Sequence, residues 1–236
     1  MKKTKGELFL IPNLLGGGNP EKFLGRDVFT TIKRLKHFIV ESEKNARRYL
    51  LKLGIETPID DLTFYLLNKH TDPNELNSFI NPLKEGISMG LISDAGCPGV
   101  ADPGADVVGI AHLNRIPVRP LIGPSSILLG LMASGFNGQS FCFHGYLPHD
   151  TTERNKQLKS MELAAKKEKQ TQLFIETPFR NEKLIDELIK SLDKQTMLCV
   201  ATDLTLDSEL IMTQSIEAWR KGRPNFHKRP AIFLIY

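Results

Sequence analysis

The chain has 236 residues, of which 41% are hydrophobic, 25% charged and 8% aromatic, with three cysteines. A chain of this size buries roughly 70% of its extended surface, and the composition excludes a disordered chain, a collagen-like repeat, a coiled-coil rod and a small disulfide scaffold. The net charge of +4, from 31 basic and 27 acidic residues spread evenly along the chain, admits an anionic partner without requiring one.

Residues 1–5 are basic and polar, and the apolar run at 8–12 is too short for a signal sequence. No apolar run reaches membrane-spanning length, so no membrane association is expected. The sparse, widely spaced Cys97, Cys142 and Cys199 fit a reducing compartment, and the cytoplasm is the expected location.

The elements then follow in chain order. Residues 7–12 (ELFLIP) read as a buried strand that runs into the glycine-rich loop 13–20. A helix is predicted over 30–36, a strand over 37–41 and a helix over 43–53, with Ser42 as its cap and Gly54 as its stop. Residues 64–67 form a short apolar run of open type. A helix over 74–84 carries Pro82, which argues for an early end. A strand at 89–93 leads into the glycine- and proline-dense loop 94–104. A helix at 105–113, a strand at 118–122 and a helix at 126–133 complete a strand–loop–helix repeat, the pattern of a parallel α/β sheet.

The texture changes after Gly135. Strands are predicted at 141–146, 171–176, 197–202, 210–213 and 231–236, with helices at 154–169, 181–192 and 216–221. Strands separated by so little helix imply an antiparallel or mixed sheet. A domain boundary is placed near 136–139, giving a 1–137 domain and a 138–236 domain.

The sharpest motif is SDAGCPGVADPG at 93–104, which follows a strand and opens a helix. In an open α/β sheet this carboxyl end is where ligands bind. Gly96, Gly99 and Gly104 let the backbone approach a ligand, and Pro98 and Pro103 stiffen the loop. Asp94 and Asp102 can accept from hydroxyls or a cation, although Asp102 can equally cap the next helix. Gly123-Pro124-Ser125-Ser126 again turns a strand into a helix, where free N–H groups hold anions or the serines act only as caps. Neither a dinucleotide fingerprint nor a P-loop is present, so classical NAD binding and P-loop hydrolysis are disfavoured. In the second half, Glu176 and Arg180 flank Pro178 at one strand end, and Ala201-Thr202-Asp203 ends the next. Four polar strand-end loops point to one composite site between the two domains.

Cys142, His144 and His149 lie close in sequence, but no fourth ligand follows at zinc-like spacing, so no metal is expected. Cys97 has no histidine fixed beside it. Lys44, Arg47, Arg48 and Lys52 form a basic stripe on one predicted helix, where Glu43 and Arg47 can pair. Such a stripe is either a solvated face or a contact for RNA phosphates.

At these residues the chain resembles the tetrapyrrole methylase superfamily. The 93–104 loop is similar to its diagnostic loop. GPSSILLGLMASG at 123–135, FHGYLP at 143–148 and ETPFR at 176–180 look most like the branch that methylates the ribose 2′-hydroxyl of a cytidine in small-subunit ribosomal RNA. The resemblance covers nearly the whole chain. It implies a two-domain α/β fold, with a mostly parallel sheet first and a mixed sheet second, and a homodimer. It also implies S-adenosyl-L-methionine in a cleft between the domains. By position the cofactor contacts would be Pro12, Asp94, Ala95, Gly96, Val100, Ser125, Ser126, Pro178, Ala201 and Thr202.

The chain departs from that branch at three places. Residues 11–16 read IPNLLG where the branch has roughly TPIGNL, residues 41–45 read ESEKN where it has AEDTR, and residues 66–70 read LLNKH where it has YHEHN. These segments are assigned to the acceptor side of the cleft.

The expectation is thus a methyltransferase acting on ribosomal RNA, in which Glu41, Glu43, Asp102, Glu176 or Asp203 takes the acceptor proton. Lys44, Arg47, Arg48 and Lys52 would meet RNA or the small ribosomal subunit. The alternatives are a methyltransferase acting on a tetrapyrrole or another small molecule, and a non-catalytic RNA- or ribosome-binding protein. A large apolar cavity beside the glycine loop would favour the small molecule.

Overall fold

The computed structural model describes residues 4–68, 71–72 and 75–236. The chain divides into two compact units, Met1–Ser125 and Ser126–Tyr236.

In the first unit β1 (Leu8–Ile11) is followed by α1 (Arg26–Ile32), β2 (His37–Val40), α2 (Glu43–Lys52) and β3 (Thr63–Leu66). Then come α3 (Leu76–Phe79), α4 (Asn81–Lys84), β4 (Met89–Ile92), α5 (Gly104–Leu113) and β5 (Val118–Pro120). The sheet is parallel throughout, in the order β3-β2-β4-β1-β5. Its strands are short apolar runs because both faces are covered. Phe9, Ile11, Phe38 and Val40 face Val28, Ile32, Ala46 and Leu50 of α1 and α2. Leu8, Ile39, Met89 and Leu91 face Leu83, Val107 and Ala111 on the other side. Gly90 in β4 is required by this packing, because a Cβ there would lie 2.6 Å from Ile11 Cδ1 and 2.8 Å from Phe38 Cδ1.

The second unit starts with α6 (Ser126–Ser134), then β6 (Phe141–Tyr146), α7 (Thr151–Glu168), β7 (Thr171–Ile175) and α8 (Asn181–Ser191). It ends with β8 (Met197–Thr202), β9 (Leu210–Ser215), α9 (Ile216–Lys221) and β10 (Ala231–Ile235). Its sheet runs β6-β7-β10-β8-β9, with β6 and β7 parallel and every other pair antiparallel. Trp219, Phe174, Phe233 and Leu188 lie in its core.

Both sheets have the expected character, and the differences are local. The first helix begins at Arg26 and ends at Ile32, rather than spanning 30–36, because Val28, Thr31 and Ile32 are the residues it buries. The open run at 64–67 is the edge strand β3. The helix predicted over 74–84 is two short helices. Pro82 sits in the first turn of the second, where its missing N–H costs nothing; Asn74 lies outside the described residues. The long helix starts at Thr151, three residues earlier than predicted, because Asp150 caps it by accepting from Glu153 N–H at 2.9 Å.

The division between units falls at 125/126, not at 136–139. The cause is α6, which packs on the second sheet. Gly130 lies so close to β10 that a Cβ would stand 2.8 Å from Ile232 Cγ2, and Thr213 Oγ1 of β9 donates to the Ser134 carbonyl at 3.0 Å.

Candidate functional site

In the first unit four loops leave the carboxyl ends of β1, β2, β4 and β5, the usual ligand-binding edge of a parallel sheet. Hydrogen bonds tie these loops together. Asn13, just after β1, donates through Nδ2 to the carbonyls of Ser93 (3.0 Å) and Asp94 (3.1 Å), and its N–H donates to the Gly96 carbonyl at 2.8 Å. Its Oδ1 accepts from Leu14 N–H at 2.8 Å. Pro12 is held from below, where the buried Tyr49 hydroxyl of α2 donates to its carbonyl. Burial raises the Tyr49 pKa, so the phenol stays a donor. The turn after β5 abuts the same residue. A Cβ at Gly123 would lie 2.3 Å from Pro12 Cβ, so glycine alone lets the two loops meet.

The 93–104 loop is stiffened from within. Ser93 Oγ donates to the carbonyls of Ala95 (3.1 Å) and Gly96 (3.3 Å). Gly96 and Gly99 adopt φ of +69° and +81°, a left-handed backbone that suits glycine. Asp102 accepts Gly99 N–H at 2.9 and 3.0 Å through its two oxygens, and Gly104 N–H at 2.7 Å. Burial nonetheless pushes its pKa up. Asp94 and Ala95 are exposed, and Val100 is 46% exposed. The amides of Ala95 and Gly96 donate to no protein acceptor among the described residues.

Glu41, at the end of β2, accepts Asp94 N–H through Oε1 at 2.9 Å. Asn45 Nδ2 donates to Asp94 Oδ2 at 2.9 Å, and Ser42 caps α2 as expected. Burial, the largest effect, raises the Glu41 pKa, and the charges of Asp102 and Asp94 push the same way.

The five candidate proton acceptors therefore differ. Glu43 pairs with Arg47 at 2.9 Å. Asp102 holds the loop backbone. In the second unit Glu176 is bound by Thr177 N–H (2.7 Å) and Arg180 (2.9 Å), and Asp203 by Arg229 (2.7 Å) and Ser208 (2.9 Å). Glu41 Oε2 faces no donor among the described residues, and burial raises the Glu41 pKa; Glu43 and Asp203 also keep one oxygen without a donor, but each already holds an arginine through the other.

Other expected residues also find their places. Ser126 opens α6 and Ser125 directly precedes it. Ala201 and Thr202 are buried at the end of β8, where Thr202 Oγ1 donates to the Leu210 carbonyl at 3.2 Å. The Pro178 carbonyl accepts Lys228 N–H at 3.0 Å. On α2, Lys44, Arg48 and Lys52 are exposed, but Arg47 is committed to Glu43, to Asp60 (3.2 Å) and to the Phe64 ring, 5.1 Å from its centroid. His144 bonds Gln172 at 2.7 Å. Among the described residues no group of three His, Cys, Asp or Glu side chains is placed to hold a metal, and no helix is long and apolar enough to cross a membrane.

Sequence reasoning missed Asn13 and Asn45. In the departing segments 11–16 and 41–45, Asn13, Glu41 and Asn45 brace the 93–96 backbone and Asp94 itself. Position directly after a strand was the available signal. Lys69 and His70, in the third departing segment, lie outside the described residues.

A groove of about 620 Å³ runs beside the loop's end, lined by Leu67, Leu76, Pro103, Asp106, Ile110 and Leu113 among others. Its described lining carries Asp106 and no cation.

No protein-family model matches the chain. Among curated proteins it is 33% identical over 238 residues to the ribosomal RNA small subunit methyltransferase I of Buchnera aphidicola subsp. Schizaphis graminum, covering 100% of this chain and 79% of the relative. Among solved structures, the methyltransferase CobJ superposes with a TM-score of 0.64 at 15% identity, over 98% of this chain and 93% of that one. Uroporphyrin-III C-methyl transferase from Thermus thermophilus, complexed with S-adenyl homocysteine, gives a TM-score of 0.58 at 15% identity, over 98% of this chain and 97% of its own. At these identities the structures share the fold.

Proposed function

The chain belongs to the ribosomal RNA small subunit methyltransferase I family, and from that premise we propose that it methylates the 2′-hydroxyl of a cytidine in small-subunit ribosomal RNA, using S-adenosylmethionine. The observation that carries this reading is the braced glycine loop at the carboxyl edge of a parallel sheet, in a chain that aligns over its whole length with 79% of a member of the family.

The residues present fit the cofactor. Asp94 keeps Oδ1 open to a hydroxyl or ammonium group, the free amides of Ala95 and Gly96 are donors, and Gly96 leaves the approach clear of side-chain bulk. Bound there, S-adenosylmethionine supplies a methyl carbon on a positively charged sulfur. The chain's part is alignment and proton removal. Asn13 and Asp102 hold the loop in one shape, which lowers the ordering cost of binding. Glu41 is the proposed base: its raised pKa brings it nearer the working pH, which favours proton transfer from a hydroxyl. Pro12, Val100 and Ser125 are proposed as further cofactor contacts. Lys44, Arg48 and Lys52 are proposed to meet RNA phosphates, with Arg47 holding α2 to its neighbours instead.

A tetrapyrrole or other small-molecule acceptor is the second reading, and the observation that favours it is the groove beside the loop, lined by Leu67, Leu76, Pro103, Ile110 and Leu113. The reading implies work in the cytoplasm, where ribosomes are, and the resemblance suggests a homodimer, which sedimentation tests. The deciding experiment supplies methyl-labelled S-adenosylmethionine to small ribosomal subunits from cells lacking the gene. Label in a cytidine ribose supports the proposal, and no label in RNA refutes it.

A further inference from the structure

Phe179 is 70% exposed, in the short turn Pro178–Arg180 between β7 and α8. The chain beneath it is held firmly. Lys228 N–H donates to the Pro178 carbonyl at 3.0 Å. Asn181, fully buried at the start of α8, donates through Nδ2 to the carbonyls of Phe226 (3.2 Å) and Arg229 (2.6 Å). Glu182 accepts Phe226 N–H at 2.5 Å and pairs with Arg223 at 3.0 Å. The 178–182 and 226–229 segments are therefore one hydrogen-bonded piece. That clamp keeps Lys228 at a left-handed φ of +62°, which a side chain rarely adopts. Lys228 Nζ stands 5.7 Å from the Phe179 ring centroid, and the His227 ring lies edge-on, 6.4 Å away between centroids.

The charges around the ring are mostly neutralised in pairs. Arg180 pairs with Glu176 and also meets His149, Arg223 pairs with Glu182 and Asp186, and Arg229 pairs with Asp203. Lys228 makes no ion pair among the described residues. The result is an exposed aromatic ring on a clamped backbone, with a cation that makes no ion pair among those residues lying over one face and the other face left for a base. A protein partner buries a wider apolar patch than this, since Phe179 is flanked by His227, Lys228 and Arg180. Stacking of a nucleic-acid base needs only one ring, and a neighbouring phosphate uses the cation.

We propose that Phe179 is a stacking platform for an unpaired base of the RNA acceptor, with Lys228 on the adjoining phosphate. This rests on the ribosomal RNA reading above. Neither residue belongs to the proposed cofactor or proton-transfer groups.

The test uses the full chain and a fluorescein-labelled single-stranded oligoribonucleotide of mixed sequence, read by anisotropy, alongside methyl transfer to small ribosomal subunits. Phe179→Ala should weaken oligonucleotide binding by about tenfold and raise KM for the subunit by a similar factor. Phe179→Trp should restore both. Lys228→Gln should reduce the slope of log affinity against log salt by about 0.7. Unchanged S-adenosylhomocysteine binding by calorimetry shows that the variants are folded. RNA affinity in Phe179→Ala equal to that of the unaltered chain overturns the platform alone, as does failure of Phe179→Trp to restore it. If the unaltered chain neither binds RNA nor methylates subunits, the acceptor reading falls and the platform falls with it.

Discussion

Asn13→Ala is the most direct probe of the loop brace. The substitution removes the bonds from Nδ2 to the Ser93 and Asp94 carbonyls and the bond from Leu14 N–H to Oδ1. Asp94 lies at the exposed end, so water replaces that partner. Ser93 and Leu14 are buried, and their polar groups lose a partner that solvent does not easily supply. At about 1 kcal/mol for each net hydrogen bond, the cost is about 2 kcal/mol. Where it shows depends on the free protein. If the 93–96 backbone keeps its shape, the loss is read as stability. If it relaxes, the ordering cost moves to ligand binding, and S-adenosylhomocysteine affinity falls by up to about 30-fold. Urea unfolding of the free chain and calorimetric titration together capture both routes. Asn13→Asp should do more harm, since it aims an acceptor at two carbonyls beside Asp94. Unchanged stability together with unchanged affinity in both variants would refute the claim that Asn13 shapes this loop.

Gly96→Val should abolish measurable cofactor binding in a folded chain, because it forces a β-branched residue to φ +69° and sets a Cβ 3.4 Å from Leu15 Cδ2; calorimetry reads it. Glu41→Gln should lower kcat by about 10²-fold or more while leaving S-adenosylhomocysteine affinity near that of the unaltered chain, since Gln Oε1 still accepts Asp94 N–H. The same variant tests the sign of the electrostatics. Burial raises the Glu41 pKa, so between the ordinary carboxylate range and the raised value the folded chain binds more protons than the unfolded one. Its neutral form contributes fully at low pH, and that contribution is lost as pH rises through the raised pKa. Glu41→Gln should therefore gain stability relative to the unaltered chain between about pH 4 and pH 8, and an identical difference in urea midpoint at both ends would contradict this. Arg154→Leu should destabilise the chain by about 3–5 kcal/mol, because the side chain is 2% exposed and its loss strands Glu187 and the carbonyls of Pro148 and His149; thermal unfolding measures it.

The amino-acid sequence by itself determined the class of each half. Apolar runs divided by helices specify a parallel sheet, and strands with little between them a mixed one, because hydrophobic period and connection length are local properties. It also marked 93–104, since dense glycine and proline after a strand have few other uses. Only the tertiary structure decided which polar groups are already spent. The sequence already offered Asp102 as a cap and Glu43 as the partner of Arg47, but Asp203 is taken by Arg229, 26 residues away in the chain. Asn13 reaches across 80 positions to Ser93, and Asn45 across 49 to Asp94. Such pairings arise when sheet order brings distant strand ends side by side. A carboxylate's freedom to take a proton is set there, by what the fold places next to it.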